Sequence, residues 1–126
     1  MKTPTLTPNL SLPFQIDPTP ATDRLTAFGG LPLVAQTYRS LGMPQSVTEH
    51  LHLKQRKRGF DETTMVESFV LLNAAGGDCL DDFRRMTEDP GLPSLLGHPL
   101  PGPDAARKWL YAFHEDEAIA TAKAQR

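Results

Sequence analysis

The chain reads as an all-α protein: a compact bundle of about five short helices behind an extended N-terminal arm, with a helix-turn-helix-like C-terminal half. Three observations predict this. Apolar residues recur at helical spacing in several segments after residue 30. Glycine and proline punctuate those segments at Gly42, Gly76-Gly77 and Pro103. Five of the 12 prolines fall within the first twenty residues, which argues against a packed beginning.

Residues 1–23 alternate Thr, Pro, Leu and Asn, and read as an extended or disordered arm. Their prolines remove backbone donors and disfavour helix in the residues before them. SLPFQI could pair as an edge strand, but Pro13 excludes it from the middle of a sheet. The first helix is expected from Leu31, where Pro32 suits an opening turn. Its apolar positions are Leu33, Val34, Tyr38 and Leu41, and Gly42 ends it. Pro44 opens a second short helix through about Leu51, with Val47 and Leu51 on one face.

Asp61 is the expected N-cap of a third helix. Met65, Val66, Phe69, Val70, Leu71 and Leu72 make that helix apolar almost all round, so it should be the centre of the core, and Gly76-Gly77 stops it. Asp78 is the candidate cap of a helix over about Leu80–Thr87, with Leu80, Phe83 and Met86 inward. Asp81 and Asp82 early and Arg84-Arg85 late in that helix suit its dipole. Five prolines follow between residues 89 and 103, leaving room for one helical turn at Ser94–Leu96. The last helix opens at Pro103-Asp104 on a stripe of Ala106, Trp109, Leu110 and Phe113. Residues 24–117 form the helical domain on this reading, and 118–126 a fraying helix tail.

A net charge of −2 and a pI of about 6.0 exclude a globally basic surface, so any nucleic-acid site must be a local patch. The single cysteine excludes an internal disulfide and fits a reducing compartment. The expected location is the cytoplasm, without a membrane span or a secretory signal.

The densest positive feature is Lys54, Arg56, Lys57 and Arg58, four cations in five residues. It can neutralise phosphates or serve as a solvated loop. Arg84, Arg85, Arg107 and Lys108 are further candidates, expected to converge with it on one surface. The region from Leu80 to Phe113 could present Arg107, Lys108 and Tyr111 away from Trp109, as a recognition helix does. Its turn is longer than the usual one, and a packed helical pair accounts for the same spacing.

No residues form a credible catalytic set or metal site. Asp78, Asp81 and Asp82 could hold Mg²⁺, but a helix start already explains them. His50 and His52 point to different faces of a helix, and His98 and His114 are isolated. Cys79 reads as a buried small apolar residue. Neither glycine pair matches a phosphate loop.

The blocks LTAFGGLPLVAQTYRSLG, KRGF, MVESFVLLNAAGGDCLDDF, DPGLPSLLG and ARKWLYAFHE occur in that order over about residues 25–117. Together they resemble the N-terminal region of bacterial insertion-sequence transposases of the DDE type, group 1, whose catalytic domain is RNase-H-like. The resemblance implies binding to double-stranded DNA at the element's terminal repeats, and assembly by self-association or pairing with a full-length transposase. It further implies that the metal-holding carboxylates, and with them Mg²⁺, belong to a downstream domain, so that this chain would be a truncated copy with no activity of its own. At the start of the last helix, where relatives carry Ser and Thr, this chain has Gly102-Pro103-Asp104-Ala105 and offers no hydroxyl. The alternative is a protein-interaction or inhibitory fragment that pairs with the intact enzyme.

Overall fold

The computed structural model describes residues 25–53 and 59–125. The described residues are helical, with no strand among them, in agreement with the all-α expectation. The helices are α1 (Leu31–Ser40), α2 (Met43–His50), α3 (Glu62–Ala74), α4 (Phe83–Thr87), α5 (Leu92–Leu96), α6 (Pro103–Ala112) and α7 (Asp116–Ala124). A 3₁₀ turn at Leu80–Asp82 leads into α4. These are seven helices among the described residues rather than about five. The count rises because the turn expected at Ser94–Leu96 is the helix α5 and the expected helix tail is a separate helix, α7. The arm over residues 1–23 and its SLPFQI segment lie outside the described residues.

Helix α3 is the centre. Its N-terminus is closed by Asp61, whose carboxylate accepts the Thr64 N–H at 2.7 Å. Helices α1 and α2 pack against it and against each other, α5 packs on α1, and α6 lies on the 3₁₀ turn. The core joins Leu31, Ala35, Met65, Leu71, Leu72, Phe83, Met86, Leu92, Leu96, Leu100 and Ala106. A run of aromatic contacts ties α3 to α4 and α6. Phe69 meets Phe83 edge-on at 5.2 Å and stacks on Trp109 at 5.6 Å, and Trp109 meets Phe113 edge-on at 5.0 Å. Such pairs are worth about 0.5–1.5 kcal/mol beyond the area they bury.

The inward face of α1 agrees with the expected one at Tyr38 and Val34 and differs elsewhere. Leu31, Ala35 and Tyr38 are buried, whereas Leu33 is 67% and Leu41 73% exposed. Residues i, i+4 and i+7 meet α3, and Leu33 lies two positions off that line. Gly42 separates α1 from α2 with φ of +75°, a left-handed conformation that costs other residues a Cβ clash.

The start of the 3₁₀ turn is also corrected. Asp78 is not the cap. The carboxylate of Asp82 reaches back to accept the N–H groups of Asp78 at 2.8 Å and Cys79 at 3.2 Å. Cys79 is exposed rather than buried. The segment expected as a helix tail from residue 118 lies within α7, which runs from Asp116 to Ala124. No helix is long and apolar enough to cross a membrane among the described residues.

Candidate nucleic-acid interface

Lys54, Arg56, Lys57 and Arg58 lie outside the described residues, but the chain on either side of them is defined. Leu53 and Gly59 both line a cleft of about 370 Å³ whose remaining walls are Phe60, Met65, Ala105, Lys108, Trp109 and Ala112. Lys108, exposed on α6, therefore shares a cleft with Leu53 and Gly59, the described residues that flank the basic run in the sequence. The register of α6 produces this: Ala106 and Trp109 turn inward while Lys108 and Tyr111 point out.

The other candidates occupy different positions. Arg107 is held by Asp104 of its own helix at 2.9 Å, so part of its charge is already answered. Arg84 and Arg85 are exposed on α4 and form no ion pair among the described residues. Arg85 borders a shallow cleft with Phe28, Leu72, Gly76, Gly77 and Asp82, away from the one that Lys108 lines. The described candidate cations thus fall into two groups, Arg107 and Lys108 on α6 and Arg84 and Arg85 on α4. Acids outnumber bases over the described residues.

The carboxylates near α4 are accounted for by backbone chemistry. The N–H groups of Asp78 and Cys79 hold the Asp82 carboxyl below its ordinary range. Asp89 is buried and accepts the N–H groups of Leu92 at 2.8 Å, Gly91 at 3.2 Å and Ala27 at 2.8 Å. Burial pushes its acidity the other way, but these donors and the Thr26 hydroxyl win, and the carboxyl stays below its usual value. Asp89 thereby caps α5 and fastens the segment before α1 to it. Among the described residues no group of His, Cys, Asp and Glu has the arrangement of a metal site.

A buried ionic centre is present that the sequence pattern does not announce. Glu67 of α3 has a side chain only 5% exposed. Arg39 of α1 grips it through two nitrogens, at 2.6 and 3.0 Å, and reaches the Leu96 carbonyl at 2.7 Å. His98 approaches the same carboxylate at 2.9 Å and the Pro99 carbonyl at 2.8 Å, so it is not isolated. Burial raises the pKa of Glu67, the Arg39 and His98 contacts lower it, and the balance is downward. The arrangement joins α1, α3 and the turn after α5. It ties elements together, and its chemistry is structural. The sequence signal for it is a Glu inside an otherwise apolar helix, which a core position tolerates only with partners.

Comparison with protein-family models, with curated proteins and with solved structures found no match for this chain.

Proposed function

We propose that the chain is a helical DNA-binding and assembly module of the kind found in the N-terminal region of insertion-sequence transposases of the DDE type. It would work on double-stranded DNA at the terminal repeats of its element, in the cytoplasm, and leave strand cutting to a separate metal-dependent domain. The observation that carries the reading is the placement of Lys108 in the same cleft wall as Leu53 and Gly59, the residues that bracket Lys54, Arg56, Lys57 and Arg58. A cation fixed on a helix, in the cleft lined by the residues that flank a cationic run in the sequence, suits a phosphate backbone, and the excess of acids among the described residues disfavours binding elsewhere. The order of sequence blocks over residues 25–117 supplies the rest. Arg84, Arg85 and Arg107 join the interface only as outlying cations.

The test is fluorescence anisotropy with a labelled duplex, titrated between about 50 and about 200 mM salt. The chain should bind at low salt, and the logarithm of its affinity should fall linearly with that of salt concentration. Replacing Lys108 with Ala should weaken binding to every sequence and lower the salt slope by about one. Replacing Lys54, Arg56, Lys57 and Arg58 together should lower it by about 0.9 for every phosphate that these four side chains neutralise. No binding at the lowest salt rejects the proposal.

A second reading, pairing with a full-length transposase through a protein surface, is favoured by the exposure of Tyr111, Phe113 and Ile119 near the end of the molecule. Capture of the intact enzyme with no DNA shift would select it.

A further inference from the structure

We infer that the cleft between α7 and the segment that follows α2 is a binding site for a small amphipathic carboxylic acid. Helix α2 ends where Leu51 adopts an extended conformation. The chain from His50 to Leu53 then forms one wall of a cleft of about 370 Å³, and Phe113 with α7 forms the other. That volume lies in the lower part of the range of small-molecule sites, about 300–1,000 Å³. Leu51, Leu53, Phe113, Ala118, Ile119 and Ala122 give the cleft an apolar lining. No side chain of α7 is buried, and Phe113 is 40% exposed. An apolar body seated between the walls therefore removes apolar surface that the chain alone leaves in water.

The polar part of the lining selects a carboxyl group. His50, His52 and Lys123 belong to it, whereas no Asp or Glu is among the described lining residues. Lys123 is exposed and enters no ion pair among the described residues. Backbone carbonyls hold the two rings: His50 Nδ1 meets the Ser46 oxygen at 2.9 Å, and His52 Nε2 meets the Glu49 oxygen at 3.1 Å. A carbonyl oxygen only accepts, so those nitrogens carry the hydrogens. Nε2 of His50 and Nδ1 of His52 are left without a partner among the described residues. Such a nitrogen accepts from a carboxylic acid when the ring is neutral and donates to a carboxylate when the ring is protonated. An amphipathic ammonium has no such match, because it would meet Lys123 with no acid in the described walls to answer it. An alcohol would satisfy a ring nitrogen and leave the Lys123 charge unanswered. This site is independent of the DNA reading: a chain that binds the acid and no duplex keeps it, and a duplex-binding chain that ignores the acid removes it alone.

The experiment follows the backbone amide resonances of the full chain while sodium octanoate is added to millimolar concentration, with octan-1-ol and octylammonium as comparison probes. Octanoate should move the amides of Leu51, Leu53, Phe113, Ile119 and Ala122 along saturating curves. Octanol should bind more weakly, and octylammonium should not bind. Lys123→Ala should weaken octanoate about two- to fivefold, the range that an exposed charge pair is worth, and leave octanol unchanged. Ala122→Met places a good helix former at an exposed position and fills the cleft, so it should weaken octanoate and octanol alike. Unchanged circular dichroism would verify that both variants keep the fold. Shifts that never saturate, octanol or octylammonium binding as tightly as octanoate, or an octanoate affinity that neither substitution changes would each overturn the inference.

Discussion

Glu67 shows how a single buried charge can organise a small helical core. An ionised carboxylate in the interior is costly unless paired, and breaking a buried pair typically costs about 3–5 kcal/mol. Here the partner Arg39 is 42% exposed, and His98 stays in place when Arg39 is removed. Arg39→Ala should therefore cost less, about 2 kcal/mol by discounting that range for solvent. The pH dependence has a definite sign. The Glu67 carboxyl is more acidic in the folded chain than its ordinary value, so its contribution is present above the unfolded carboxylate range, about 4.3. It is lost as pH falls through the lower folded value. Urea unfolding of both proteins at a series of acidic pH values measures this: the stability difference should be full near neutrality and shrink toward the acid end. A difference that grows on acidification would show that Arg39 acts through something other than the ionised carboxylate.

Among the elements, α5 illustrates a short helix that exists only because of its surroundings. It has five residues, opens after Gly91 and closes at Gly97, which has φ of +80°. Propensity cannot hold one turn, so the Asp89 hydrogen bonds and the burial of Leu92 and Leu96 must. Asp89→Ala should cost about 1–2 kcal/mol, the upper part of the range for removing a cap, because the tie to Ala27 goes with it. Hydrogen exchange should locate the change at the amides of Ala27, Gly91 and Leu92, and exchange confined to global unfolding would contradict it. Helix α3 is legible in the sequence because its apolar residues sit together between Asp61 and a glycine pair. Helix α6 is legible from its proline start and its stripe. On α1 the large side chains mislead: Leu33 and Leu41 look like core residues, while the small Ala35 occupies the inward position. Helix α7 resembles a tail because it has little apolar bulk. Glu67 is unreadable as a centre because Arg39 and His98 lie 28 and 31 residues away in the chain. The candidate site is legible only as a set of cations. Their division between α4 and α6 is set by helix register and packing, which spacing within one segment does not contain.

At the scale of the whole molecule, stability is graded from the centre to the C-terminal end. Met65, Leu71 and Phe83 are essentially inaccessible and share one core with residues of α1, α5 and α6. Beyond Phe113 the described residues contribute no buried side chain. Opening α7 therefore exposes little apolar surface and costs little, whereas opening α3 exposes the core and costs the whole folding free energy. Native-state hydrogen exchange on a dilute sample should find the amides of Met65–Leu72 slowest and those of Asp116–Ala124 among the fastest. If α7 exchanged as slowly as α3 in the dilute sample, it would belong to the folding unit of the core, and the graded stability argued from its lack of buried side chains would be wrong.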